Sequence, residues 1–249
     1  RAIAVHPTRR TLVATGQTAG HDKKEGRPHV RVWDTVSLQT LKVIGLNGAD
    51  FAGSVICLSF ARGDNQQDLL AAVDEGSGGG ERILSVWSWP QGMRTAFAKC
   101  HSDLVFALEF YESSALVTCG KQHVAFWRFD NGTLTKKLGV FDAVHGTISV
   151  VHNNQDAAAE AAAAVIVEKP KFVLSIAVVA ASREVATGDS EGNILFWKDG
   201  KLARVIKSAN ESGVFSLLLC PDSNTLISGG QDGKLVRSIL IVQSLMIRF

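Results

Sequence analysis

"GRPHVRVWDTVSLQTLKVIGL", Gly26 to Leu46, decides the fold. From His29 to Trp33 it alternates, with Val30 and Val32 on one side and His29, Arg31 and Trp33 on the other. That is the two-residue period of a half-buried strand. A Trp-Asp pair closes it, and "LKVIGL" starts another strand beyond a polar turn. Three more tryptophans close strands of the same kind: Trp87 in "ILSVWSW", Trp127 in "HVAFWRF" and Trp197 in "NILFWKDG". Upstream of each lies a strand ending at a turn: "LVATGQ", "LLAAVDEG", "ALVTCGKQ" and "EVATGDSEG". Upstream again, in the same order, stand "AIAVHP", "VICLSFARGD", "LVFALEFYES" and "FVLSIAVVA". After each Trp comes a fourth strand: "LKVIGL", "MRTAFA", "LTKKLGVF", "LARVIK".

A fifth copy reads "GVFSLLLCPDS", "NTLISGGQDG", "KLVRSIL". Aligning "ATGDSEGNILFW" with "ISGGQDGKLVRS" places Ser238 in the Trp position. The intervals Trp87 to Trp127 and Trp197 to Ser238 match the roughly 40–45-residue period of WD-type propeller blades. The two longer intervals hold insertions: "GLNGADFAGS" and "DEGSGGGE" in one, residues 142–168 in the other. Within the latter, Asp156 as N-cap and Ala157 to Ala164 predict a short helix decorating a loop. The reading is all-β: a WD-repeat-type β-propeller of about five four-stranded blades, over residues 1–46, 54–99, 103–141, 171–207 and 213–249. A four-stranded sheet with apolar faces cannot bury itself, so such sheets stack around an axis.

WD repeats link the blade Trp to a Ser or Thr on the second strand, a His ahead of the first, and an Asp in a turn. The blade positions expected here are Trp33, Trp87, Trp127 and Trp197, with hydroxyls at Thr15, Thr118, Thr187 and Ser228 and a histidine at His101. The acidic position, six residues before the Trp, holds Arg27, Glu81, Lys121, Glu191 and Asp232. Only Asp232 matches in full, in the copy that has lost its Trp, so the repeats are degenerate.

Bulk properties exclude several classes. The chain is 46% hydrophobic and 20% charged with a net charge of +2, an ordinary globular balance. The basic pairs Arg9-Arg10, Lys23-Lys24 and Lys136-Lys137 are scattered and read as solvated surface, not the stripe of a nucleic-acid binder. No apolar run approaches the ~20 residues that span a bilayer. Cys57, Cys119 and Cys220 sit in or beside apolar runs and read as small buried hydrophobes of a reducing compartment. No cysteine or histidine has metal-ligand spacing, and no cofactor is expected. The chain opens inside the strand-like "AIAVH", as a piece of something longer would.

Apparent motifs dissolve on inspection. "GGQDGK", Gly229 to Lys234, is a residue short of a phosphate-binding loop and reads as a turn, and "GSGGG" has no helix behind it. His6 reads as a strand-end residue, His21 lies in a charged turn, and His145 and His152 fall in the long insertion without ligand geometry. No nucleophile elbow or carboxylate pair stands apart from the repeats, so no enzyme is expected.

The repeat details resemble one family. "ATGQTAGHDKKEGRPHVRVWDTVSLQTLKVIGL", "LVTCGKQHVAFWRFDNGTLTKKLGVF", "EKPKFVLSIAVV", "VATGDSEGNILFWKDG" and "GVFSLLLCPDSNTLISGGQDGKL" look like the segment after the HELP motif in echinoderm microtubule-associated protein-like proteins. The resemblance runs from Arg1 to about Leu235; the 142–168 insertion, Ser238 and "SILIVQSLMIRF" depart from it. It implies part of a tandem atypical propeller, a non-catalytic platform for tubulin and microtubules, alongside other axonemal or cytoskeletal proteins. It places the chain in the cytoplasm on the microtubule cytoskeleton, with the ciliary or flagellar axoneme as a further location. The alternative is a general scaffold whose microtubule binding comes from other domains. Lys23, Lys24 and Arg27, in the basic loop "GHDKKEGR", are the expected tubulin contacts.

Overall fold

The computed structural model describes residues 2–18, 26–47, 50–62, 68–78, 80–141, 147–149, 167–220 and 225–239, with 147–149 and 239 given by backbone alone. The chain forms two compact units, Arg1–Leu138 and Gly139–Phe249.

The first unit holds three four-stranded antiparallel sheets, each built from consecutive strands. They are β1 (Ala2–Val5), β2 (Leu12–Gly16), β3 (Val30–Asp34) and β4 (Thr40–Ile44); β5 (Val55–Phe60), β6 (Leu69–Asp74), β7 (Arg82–Ser88) and β8 (Met93–His101); and β9 (Val105–Glu112), β10 (Ala115–Gly120), β11 (His123–Asp130) and β12 (Thr133–Leu138). First strands lie side by side, β1 against β5 and β5 against β9. The sheets pack face to face, and β6 shows why "LLAAV" is apolar at every position. Leu70 and Ala72 join the core shared with the first sheet, which contains Val30, Val32 and Ile44. Leu69, Ala71 and Val73 join the core shared with the third, which contains Leu116, Ala125 and Trp127. Alternate side chains of one strand thus serve two cores. The outer strand of the third sheet is polar by contrast: β12, "TLTKKL", is exposed at all but one position, and its lysines discourage pairing along a bare edge.

In the second unit, β14 (Val173–Val179), β15 (Glu184–Asp189), β16 (Ile194–Lys198) and β17 (Lys201–Lys207) form the same meander, with a 3-10 turn at Ala180–Ser182. A further strand, β13 (Thr147–Ser149), runs parallel to β17 on its outer side. The fifth sheet, β18 (Val214–Cys220), β19 (Thr225–Gly230) and β20 (Leu235–Ile239), has three strands among the described residues rather than the four expected. Ala186, Phe196, Val214 and Leu226 lie in the core between these two sheets.

Local chemistry sets the details. The β11–β12 and β16–β17 hairpins turn through Asn131-Gly132 and Asp199-Gly200, all four residues at positive φ, as tight two-residue hairpins require. In β5, β9, β14 and β18 the pairing shifts register at the second residue, so the register passes over Ile56, Phe106, Leu174 and Phe215. A bulge at one place in four sheets marks the repeat as firmly as the tryptophans do.

Several expectations change. Cys220 is only half-buried, whereas Cys100, absent from the sequence-based core, is buried with Cys57 and Cys119. Two residues of the basic pairs are not merely solvated. Arg9 pairs with Asp68 and lies 5.5 Å from the Trp89 ring; Lys136 Nζ donates to the Cys100 carbonyl at 2.5 Å and lies 5.2 Å from the Trp127 ring. His6 follows β1 directly, as expected of a strand-end residue, and anchors the turn there: Nδ1 accepts from the Thr8 and Arg9 amides, and burial pushes its pKa down. The Ala157–Ala164 helix expectation falls outside the described residues.

Candidate interaction surface

The blade positions occupy matching registers. Trp127 faces Leu116 across β10–β11, and its indole Nε1 donates to Thr118 Oγ1 at 3.0 Å. Trp197 faces Val185, and Nε1 donates to Thr187 Oγ1 at 2.8 Å. Both rings and both hydroxyls are buried. In the second sheet Ala72 holds the hydroxyl position, and Trp87 Nε1 donates instead to Ser85 Oγ at 2.9 Å. Ser85 was legible in "ILSVWSW", two residues before the Trp on the same strand, once Ala72 is seen to lack a hydroxyl. In the first sheet Thr15 is paired with Arg31 and Trp33 with Val13, in the same register, and Trp33 is half-buried.

Ser238 faces Leu226, the register place that the tryptophans occupy elsewhere, and its buried Oγ has no hydrogen-bond partner among the described residues. Ser228 donates to Asn210 Oδ1 at 2.6 Å, and Asn210 Nδ2 donates to the Lys234 carbonyl at 3.4 Å. Asn210 precedes β18 by the same distance that His101 precedes β9. It takes the histidine's place in the fifth copy, a substitution that single-residue matching misses. His101 ends β8, accepts the Asp103 amide on Nδ1 at 3.0 Å, and stacks on His123 at 4.1 Å. Cys100 Sγ contacts Thr118 Oγ1 at 3.7 Å.

Carboxylates hold the turns, though mostly not where the spacing predicts. Asp232 accepts from the Lys234 and Glu211 amides, tying the β19–β20 turn to the segment entering β18. Those backbone hydrogen bonds keep its carboxyl below the usual range. Asp189 Oδ1 accepts from the Glu191 and Asn193 amides at 2.8 and 2.9 Å, and Oδ2 from Asn193 Nδ2 at 2.9 Å. Asp74 Oδ1 accepts from the Gly76 amide at 2.8 Å. Both carboxyls are buried, and desolvation raises their pKa against the pull of those hydrogen bonds. Asp34, from the opening stretch, caps its turn by accepting from the Val36 and Ser37 amides.

The basic loop contributes one described residue, because Lys23 and Lys24 lie outside the described residues. Arg27 is exposed. Its Nη1 donates to the Leu46 carbonyl at 3.4 Å. Its own carbonyl accepts from His29 Nδ1 at 2.8 Å, and His29 Nε2 accepts from Arg31 Nε at 3.1 Å. One histidine tautomer satisfies both bonds, and together they fix the backbone where the loop enters β3. Among the described residues, no group of three or more His, Cys, Asp or Glu side chains is placed to hold a metal ion.

The model of the family described as "Echinoderm microtubule-associated protein first beta-propeller" matches residues 1–246. The chain belongs to this family. The 77 kDa echinoderm microtubule-associated protein of Strongylocentrotus purpuratus is 38% identical over 95% of the chain and 30% of its own length. Echinoderm microtubule-associated protein-like 1 of Homo sapiens is 37% identical over 95% of the chain and 26% of its own length. Echinoderm microtubule-associated protein-like 2 of Homo sapiens is 36% identical over 95% of the chain and 32% of its own length. The chain thus spans about a third or less of the curated relatives that it matches. Among solved structures, the β-propeller domain of Myceliophteria thermophila Cps50 (Swd1) matches with a TM-score of 0.69 at 12% identity, covering 99% of the chain and 68% of that structure. At that identity the likeness speaks for the fold, and the fold is a β-propeller of the WD type.

Proposed function

We propose that this chain is a non-catalytic propeller platform through which a microtubule-associated protein holds tubulin or the microtubule lattice. The observation that carries the reading is the family match over residues 1–246, with relatives that are named microtubule-associated proteins. Its geometry suits the role. Buried tryptophans and turn carboxylates make rigid sheets, and rigid sheets present turns and loops in fixed positions for a partner. The location that follows is the microtubule cytoskeleton.

Within this platform, the loop carrying Lys23, Lys24 and Arg27 contributes a basic contact to tubulin. Arg27 supports this, being exposed with its backbone anchored through His29. The test is co-sedimentation with polymerised tubulin, comparing the chain with its Lys23→Glu/Lys24→Glu/Arg27→Glu variant. We expect the chain to pellet, and the variant to pellet less at low salt with the difference shrinking as salt screens the charges. A chain that stays in the supernatant refutes direct binding by this propeller. A variant that pellets equally removes the loop from the contact and leaves the platform reading standing.

A further inference from the structure

In each of the first four sheets the turn from the third strand to the fourth contains residues at positive φ. Three of these turns use residues suited to it: Gly92, the pair Asn131-Gly132 and the pair Asp199-Gly200. The turn from β3 to β4, "DTVSLQT", places Leu38 there instead, at φ 58°. That conformation crowds the Cβ of a bulky residue, whereas Gly, Asn and Asp tolerate it.

Hydropathy opposes the leucine as well. Leu38 is 74% exposed and Val36 78%, two of the three most exposed large apolar side chains among the described residues. The backbone fixes both in water. Asp34 Oδ1 accepts from the Val36 and Ser37 amides at 2.9 and 2.8 Å, and from Ser37 Oγ at 3.2 Å. The Asp34 amide donates to the Gln39 carbonyl at 3.0 Å, and the Thr35 amide to the Thr11 carbonyl at 2.8 Å. Arg10, exposed and one residue before Thr11, sets a cation beside this tip. Strain and exposure both count against leucine within the chain, so its benefit lies in a contact off the chain.

We infer that Val36 and Leu38 form an apolar docking tip for polymerised tubulin, seated in an apolar pocket rimmed by carboxylates that face Arg10. The inference rests on the platform reading above. It names a contact separate from the basic loop, because Arg27 and the tip lie beyond opposite ends of β3, with about 17 Å of strand between them. Salt tells the two contacts apart. Screening weakens a contact made by charge and spares one made by apolar burial.

The test is co-sedimentation of the full chain with polymerised tubulin at low and high salt, beside urea unfolding. Leu38→Asn suits the left-handed backbone, and Val36→Thr keeps the branched shape. The double variant is therefore expected to unfold at no lower urea concentration than the natural chain. It is expected to bind the polymer at least fivefold more weakly at both salt concentrations. Leu38→Met, apolar and of similar volume, is expected to bind as the natural chain does. Equal binding by the double variant and a natural chain that pellets overturns the tip and leaves the platform reading standing. A lower unfolding midpoint in the double variant also overturns it, because these side chains would then serve the fold. A natural chain that stays in the supernatant refutes the platform reading, and the tip with it.

Discussion

Trp87 donates its indole N–H to Ser85 on its own strand, whereas Trp127 and Trp197 donate across the sheet to Thr118 and Thr187. Ser85 pairs in register with Ala72, the residue in the threonine's place. The same hydrogen bond is therefore made from the opposite side of one cross-strand pair. Ser85→Ala leaves a buried donor without an acceptor and should cost about 1–3 kcal/mol in urea unfolding. Adding Ala72→Thr should return a good part of that loss, because Thr then stands where Thr118 and Thr187 stand. A double variant no more stable than Ser85→Ala alone would show that the two positions are not interchangeable.

Asp189 makes stability fall with pH. Burial raises its folded-state pKa above that of an unfolded aspartate, so the folded chain binds this proton more tightly. The stabilisation from that proton is fully present below the unfolded carboxylate range, near 4, and is lost as pH rises through the raised folded value. Asp189→Asn keeps an oxygen for the Glu191 and Asn193 amides and removes the titration. Between about pH 4 and neutrality, unfolding midpoints should therefore fall more steeply for the natural chain than for the variant. Parallel pH profiles would contradict this.

Thiol reactivity should separate the four cysteines. Burial pushes Cys57 up to about 12 and Cys100 up to about 11, and lifts Cys119 well above the usual thiol range. The thiolate is the reactive form, so these three are inert while folded. Cys220 is half-buried. Alkylation at pH 8 followed by peptide mapping should label Cys220 first, and the other three only after unfolding. Early labelling of Cys100 would show that the core beside Thr118 opens.

Ser238 sits in the Trp position of the fifth sheet with a buried hydroxyl that has no partner among the described residues. Removing a polar atom that has no partner removes its desolvation penalty. Ser238→Ala should raise the unfolding midpoint, by up to about 1–3 kcal/mol in free energy. A loss of stability would mean that the hydroxyl is satisfied in solution.

Much of the fold was legible because the physics is local and repeated. Strand alternation, Asn-Gly and Asp-Gly turns and the recurring Trp each depend on a few neighbouring residues. The registers Leu116 with Trp127, Val185 with Trp197 and Leu226 with Ser238 show that the fifth copy was correctly aligned despite its missing Trp. What stayed hidden depends on partners distant in sequence. Asn210 stands in for a histidine, and Arg9 reaches Asp68 across two sheets. Asp74 and Asp189 lie at strand ends rather than six residues before the Trp, because each carboxylate is placed by the turn amides it must accept.

For "GRPHVRVWD" itself, sequence alone determined the strand, the turn after it and the kinship. Alternation and the Trp-Asp spacing are written into the covalent chain. Only the tertiary structure decided that Asp34 caps its own turn while Trp33 stays half-buried, and that His29 locks the Arg27 backbone. It also decided that the outer edge of β17 is covered by Thr147–Ser149. Burial and hydrogen-bond partnership belong to the packed chain, since they are set by whatever sheet, turn or strand comes to lie alongside.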